Sequence, residues 1–339
     1  MLHKLPAKFP LGPRGLLITL TLSLFGCVSS PQTGKESTMT ASPNLAKVVA
    51  TTGVLCDLTQ KIAQNTLNLT CLVKAGQDPH TYQPQPQDRK AIDSAQLILY
   101  GGYDHEATLL KLINSTNNAA SKVAVHEKAV PQPLMGKDHE REHGEKEKHP
   151  IGESIPDPHV WHNAQNGIRI VEVITDELVK LTPRQKGYYQ GNAKQLTEQL
   201  QKIDSWIKVQ ISTIPPDKRK LVTTHEALSY YTNAYGLEML GALEGVTTEE
   251  QPTAKRIAEL TTQIKGAGVP TIFAETTVNP KLLEAVAREA KVKISDKPIY
   301  SDGLGEAGTG SDTYTGMLIT NTCAIVEGLG GKCRALPHQ

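Results

Sequence analysis

Lys47-Val48-Val49-Ala50-Thr51-Thr52-Gly53-Val54-Leu55-Cys56-Asp57-Leu58-Thr59-Gln60-Lys61-Ile62 decides the fold class. After its leading lysine, the run to Thr52 is apolar and β-branched, which reads as a short strand buried on both faces. From Val54 the period changes. Leu55, Leu58 and Ile62 recur at spacings of three and four, one face of a helix. A strand passing directly into a helix predicts an α/β chain. The rhythm continues outward. Residues 67–75 read as a second strand broken by Gly76, 91–94 as helix, and 97–100 as a third strand ending in Gly101-Gly102. In the second half, 220–224 and 271–274 read as strands, with helices over 227–234, 253–267, 280–291 and 313–329. Two α/β lobes follow, each a mostly parallel sheet flanked by helices.

Between them one helical pattern spans residues 183–212. Its stripe is Tyr189, Ala193, Leu196, Leu200, Ile203, Ile207 and Ile211. At 1.5 Å per residue it is about 40 Å long, and Pro215-Pro216 ends it. The domains expected are a first lobe at 44–182, a linking helix at 183–214 and a second lobe at 215–333. A single rigid helix there would resist large hinge motion; the alternative that the same periodicity allows is an ordinary core helix of one lobe.

The start of the chain is an address. His3, Lys4, Lys8 and Arg14 precede an apolar run over residues 15–25, the layout of a secretory signal (1–26). Leu24-Phe25-Gly26-Cys27 has the form of a bacterial lipobox, with Cys27 as the lipid acceptor. Residues 28–43 are rich in Ser, Thr, Pro and Gly and read as a flexible tether. The mature chain is therefore expected outside the cytoplasm, held to a membrane through lipid on Cys27. Its charges nearly cancel, 36 Lys and Arg against 35 Asp and Glu, which argues against nucleic acid as a partner. Mean hydropathy is −0.33, which excludes a polytopic membrane protein. Cys56, Cys71, Cys323 and Cys333 remain in the mature chain. Four cysteines allow three pairings. Proximity favours Cys56–Cys71 and Cys323–Cys333 in an oxidising compartment, with four buried free thiols as the alternative.

Residues 126–155 are expected as a mobile surface loop, because Lys, Arg, Asp, Glu and His dominate after Met135. His126, His139, His143 and His149 offer imidazoles there for metal capture. The histidines beyond the loop carry more. Asp78-Pro79-His80 follows the second strand, and Asp157-Pro158-His159 repeats the triplet 79 residues later. His225 follows a strand and opens a helix, the edge where α/β sheets bind ligands. Asp302 follows the short run Ile299-Tyr300. Three imidazoles and one carboxylate thus stand at element ends, two in each lobe. His105 and His162 are spare candidates, read as core or surface.

These motifs resemble the metal-binding lipoproteins of bacterial zinc and manganese ABC importers, the cluster A-I solute-binding proteins of ZnuA/TroA type. The resemblance covers nearly all of residues 44–331. It rests on Asp78-Pro79-His80-Thr81-Tyr82, Asp157-Pro158-His159-Val160-Trp161, Thr223-Thr224-His225-Glu226-Ala227 with Tyr230-Tyr231, and Tyr300-Ser301-Asp302-Gly303-Leu304-Gly305 with Thr313-Tyr314. It implies two lobes joined by a rigid helix, with the ion in the cleft between them. It implies His80, His159, His225 and Asp302 as ligands of a transported zinc or manganese ion. It implies Glu275 as a carboxylate orienting a ligand imidazole, a membrane permease as partner, a monomer, and no enzymatic activity. Two features depart from the family pattern: the His-rich loop is short and mixed in charge, and His225 stands where manganese-specific relatives carry Glu.

An N3O donor set suits zinc, in tetrahedral geometry or five-coordinate if Asp302 is bidentate. Manganese prefers more oxygen and binds such sites less tightly. Protons compete for the imidazole lone pairs, so affinity is expected to fall as pH drops through about 6.5. Other classes fare worse. No His-Glu-x-x-His or Gly-x-Ser-x-Gly motif supports a zinc hydrolase. Gly303-Leu304-Gly305-Glu306-Ala307-Gly308 matches Gly-x-Gly-x-x-Gly, but too little chain follows for a dinucleotide fold. Surface-tethered relatives have been called adhesins, yet no residue pattern here encodes such a contact.

Overall fold

The computed structural model describes residues 45–137, 154–249 and 251–337. The expected signal, Cys27 and the tether lie outside them, as do His139, His143 and His149.

The first half runs β1 (Lys47–Ala50), α1 (Gly53–Ala63), β2 (Asn68–Cys71), α2 (Pro86–Ser94), β3 (Leu97–Tyr100), α3 (Ala107–Ser115), β4 (Ser121–Ala124) and α4 (Val125–Ala129). Its four strands form a parallel sheet in the order β2-β1-β3-β4. Val48 sits between Leu69 and Leu97 across the ladder. Such central strands are buried on both faces, which explains their continuous apolar runs.

The segment expected as a surface loop begins differently. α4 turns inward because Val125, Ala129 and Val130 are buried apolar anchors, and His126 goes with them, wholly buried. His126 is therefore no surface capture group. β5 (Met135–Lys137) then pairs antiparallel with β6 (Ser154–Pro156) in a two-stranded ribbon.

Two long helices follow, α5 (Ala164–Leu181) and α6 (Lys186–Ser212). Every residue of the stripe named for α6 is buried. The helix packs on α1 and α5. The second half runs β7 (Lys220–Thr223), α7 (Ser229–Tyr235), β8 (Glu238–Ala242), α8 (Ala254–Ala267), β9 (Thr271–Ile272), α9 (Lys281–Ala290), β10 (Lys293–Ile294) and α10 (Tyr314–Gly328). β7 pairs with β8 and β9 with β10, both parallel. The Phe273 amide joins the pairs by donating to the Val222 carbonyl at 2.9 Å.

α6 also packs on α10, so one helix touches both halves. The largest apolar cluster accordingly runs from β1 and α1 through α5 and α6 into α10. Asp57 of α1 reinforces this by accepting the Tyr314 amide at the start of α10 (2.9 Å). A shared core of this kind ties the halves together, because separating them would expose apolar surface. Disulfides join Cys56 of α1 to Cys71 of β2, and Cys323 of α10 to Cys333 beyond it, with Cα separations of 5.7 and 5.1 Å.

Candidate metal centre

The carboxyl ends of the parallel strands face one point, the usual ligand edge of α/β sheets. His80 lies beyond β2, His225 beyond β7, Glu275 beyond β9, and Asp302 beyond the bridge between Glu275 and Ile299. The two Asp-Pro-His triplets fold alike. Asp78 Oδ1 accepts the His80 amide and Asp157 Oδ1 accepts the His159 amide, each at 2.9 Å. Proline fixes the residue between, so each carboxylate can close a tight turn that sets the imidazole's direction.

Four donors meet there. His80 Nε2 is 3.3 Å from His159 Nε2, which is 3.3 Å from His225 Nε2. Asp302 Oδ1 lies 3.1 Å from His159 Nε2 and 3.4 Å from His80 Nε2, and Asp302 Oδ2 lies 3.4 Å from His225 Nε2. A tetrahedron with donors at zinc–nitrogen distance has edges of about 3.3–3.4 Å. The spacing is thus what a single ion of that size requires. All four side chains are buried.

Their partners dictate which nitrogen faces the centre. His159 Nδ1–H donates to Asp157 Oδ1 at 2.8 Å. His225 Nδ1–H donates to Glu275 Oε2 in a short contact. Both rings therefore turn an Nε2 lone pair inward, and lone pairs so close together repel unless a proton or metal ion lies between them. Glu275 is fixed in turn. Its Oε1 accepts the Thr224 and His225 amides, each at 3.0 Å, and its Oε2 accepts the Ser301 hydroxyl. Asp302 Oδ2 accepts hydroxyls from Thr277 and Ser301, which leaves Oδ1 as its less engaged oxygen.

Burial opposes charge on His225, but the Asp302 and Glu275 carboxylates outweigh it and hold the imidazole well above its usual pKa. His159 is raised in the same way, burial being outweighed by Asp157 and Asp302. Asp302 is also penalised by burial, yet the surrounding imidazoles, His225 foremost, hold it well below the usual carboxylate range. Glu244, just beyond β8, is pushed up to about 7 by burial, and its Oε2 has no hydrogen-bond partner.

The spare candidates divide. His162 does not point at the centre; its Nε2–H donates to the Ser301 carbonyl at 2.8 Å, beside the Trp161 indole N–H at 3.2 Å. Together they anchor the backbone that carries Asp302. His105 does reach the centre. Two groups of donors converge among the described residues: His80, His105, His159 and Asp302, and His225, Glu275 and Asp302. His105 was legible only by position, since it follows β3 as His80 follows β2 and His225 follows β7.

The zinc-uptake complex component A periplasmic family, ZnuA, matches residues 48–328. The manganese ABC transporter substrate-binding lipoprotein PsaA of Streptococcus anginosus is 32% identical over 321 residues, 93% of this chain and 98% of the relative. The manganese-binding lipoprotein MntA of Halalkalibacterium halodurans is 30% identical, over 93% of this chain and 97% of its own length. Among solved structures, the periplasmic zinc binding protein TroA from Treponema pallidum superposes with a TM-score of 0.75 at 30% identity, covering 83% of this chain and 98% of its own. With one family matched across both lobes and all four converging donors, the chain belongs to the ZnuA family of metal-binding proteins.

Proposed function

We propose that the chain is the extracytoplasmic, lipid-anchored binding component of a metal ABC importer. It captures a divalent transition-metal ion, zinc in preference to manganese, and delivers it to a membrane permease. The observation that carries this reading is the spacing of His80, His159, His225 and Asp302, at 3.1–3.4 Å along five edges. Three neutral imidazoles and one carboxylate leave a divalent ion with charge +1, and they match the nitrogen-rich sets that hold zinc. With its ligands supplied by buried side chains from both lobes, the site is built to hold an ion and let it go. Cys27 as lipid acceptor, a monomeric state, and capture by His139, His143 and His149 complete the proposal from sequence.

Manganese is the second reading, favoured by the names of relatives such as PsaA and MntA. Competitive titration of zinc against manganese decides between them. The expected result is one tightly bound equivalent of zinc that manganese displaces only at large excess. Substituting His80, His159 or Asp302 by Ala is expected to abolish tight binding. Full-affinity binding in all three variants would sink the site, and manganese outcompeting zinc at equal concentration would overturn the preference.

A further inference from the structure

His105 is buried, and its side chain makes no hydrogen bond. It is 1% exposed, and neither ring nitrogen has a partner. Nε2 stands 3.7 Å from Asp302 Oδ1, and Nδ1 stands 3.6 Å from Glu106 Oε2. Both are beyond hydrogen-bonding range. A buried polar group left unpaired costs about 1–3 kcal/mol, so a side chain kept in this state needs a reason.

The backbone shows that the placement is specified. Gly102, Tyr103 and Asp104 all have positive φ, at 94°, 54° and 56°. Non-glycine residues adopt that region at a cost and persist there only when their surroundings over-determine them. Here α4 supplies the constraint. Glu127 Oε1 accepts the Tyr103 amide at 2.9 Å, and a Cβ on Gly102 would meet that same oxygen at 2.6 Å. The Tyr103 hydroxyl donates to the Val130 carbonyl at 2.5 Å. The strap between β3 and α3 is pinned so that the residue after it points inward.

What it points at is the metal centre. One atom from each of His80, His105, His159 and Asp302 lies within 4.8 Å of the others. The His80 and His105 ring centroids are 4.8 Å apart, edge to face. The separation from Asp302 Oδ1 exceeds the tetrahedral edge by only a few tenths of an ångström, within the reach of a small side-chain rotation.

We propose that His105 is a fifth side-chain donor to the bound ion, so that the first half of the chain carries three imidazoles of its own for the metal. This rests on the proposed metal-binding function. It changes the expected coordination from N3O to N4O. It also gives His80, His105 and His159 the capacity to keep an ion when the donors of the second half, His225 and Asp302, are removed.

The test begins with the full, unsubstituted chain. In isotope-labelled, cadmium-loaded protein, four imidazoles rather than three should show direct coupling to the metal. His105→Phe keeps a ring packed against Trp161, whose centroid is 4.9 Å away. It should weaken zinc roughly 10- to 100-fold, the range seen even for residues that only orient a ligand. It should also intensify the ligand-field bands of bound cobalt, as five-coordination gives way to four. In a His225→Ala/Asp302→Ala background one weakly held zinc should remain, and adding His105→Phe should abolish it. Coupling to three imidazoles, or zinc affinity and cobalt spectrum unchanged in folded His105→Phe, would overturn the proposal while leaving the metal-binding reading intact. Absence of any zinc binding by the unsubstituted chain would instead overturn that reading.

Discussion

Glu275→Gln isolates the part of the site that orients a donor without supplying one. The amide has nearly the shape of the carboxylate, so its oxygen can still accept the Thr224 and His225 amides that Glu275 Oε1 accepts at 3.0 Å. Its NH2 group then replaces Oε2, which takes hydrogen bonds from His225 Nδ1–H and the Ser301 hydroxyl. Donor would face donor. The Ser301 hydroxyl can turn wholly to Asp302 Oδ2, 3.2 Å away. His225 escapes by giving up its Nδ1 proton and keeping the one on Nε2, the nitrogen that faces the centre. In the metal-free chain that costs little, because Nε2–H can turn to Asp302 Oδ2 at 3.4 Å. With an ion bound the same proton must be expelled. The penalty is the loss of one hydrogen bond to a charged group, about 1.5–3 kcal/mol, or roughly 10- to 100-fold in zinc affinity. A competition titration against a chromophoric chelator reads it directly. The melting temperature of the metal-free variant should shift little, while the rise produced by saturating zinc should shrink in proportion. Affinity within about twofold of the unsubstituted chain, in a folded variant, would refute the tautomer argument.

Replacing His225 by Glu exchanges an imidazole for oxygen and should move the zinc-to-manganese preference toward manganese, read by competition between the two ions; an unchanged ratio counts against a nitrogen-set selectivity. Apparent zinc affinity should rise with pH through and above about 6.5, because His159 and His225 hold protons more firmly than ordinary imidazoles and the ion must displace them; a flat profile contradicts this. His126 is pushed down to about 3 by burial, so between there and its unfolded value the unfolded chain binds the extra proton and stability falls with falling pH. His126→Phe should therefore unfold at lower pH than the unsubstituted chain in an acid titration followed by circular dichroism. Removing the Cys56–Cys71 bridge by paired serine substitution opens a link of sequence separation 15 and should cost about 3 kcal/mol in denaturant unfolding. Loss of under about 0.5 kcal/mol would show that the bridge restrains little that is not already restrained.

Much of the fold was written in local periodicity. The apolar runs at β1, β3 and β7 became central strands, and the stripe from Tyr189 to Ile211 became the buried face of α6. Elements with weaker signatures stayed hidden. β4 reads Ser-Lys-Val-Ala and is half solvated, so it lacks the continuous run of a central strand. β8 contains Gly241, and only its last residue, Ala242, is buried, so it too lacks a continuous apolar run. His126 misled through composition. It begins a stretch rich in charge, but it follows Val123 and Val125, both buried, and shares their burial. His105 is masked in the sequence for a related reason. Tyr103-Asp104-His105-Glu106 looks like a polar surface turn, and nothing in a one-dimensional pattern says that positive φ at three residues would aim its end inward.

The arrangement of oxygen around the centre bears on which ion it takes. Asp157, Glu275 and Asp302 are all buried there, and no lysine or arginine is buried among the described residues. Positive charge must therefore come from protons on the imidazoles or from a metal ion, and the raised pKa values of His159 and His225 are the mark of the first. Metal binding is then an exchange of protons for one ion. Yet most of that carboxylate oxygen is engaged, Asp157 Oδ2 being the one with no hydrogen-bond partner. Asp157 Oδ1 is engaged by the His159 ring and amide, both Glu275 oxygens by the His225 loop and Ser301, and Asp302 Oδ2 by two hydroxyls. Negative charge is thus plentiful near the ion, while oxygen ligands are scarce and imidazole nitrogens abundant. Charge alone would attract calcium, magnesium and manganese as readily as zinc. Spending the carboxylates on orienting imidazoles converts that unselective attraction into a preference for ions that favour nitrogen.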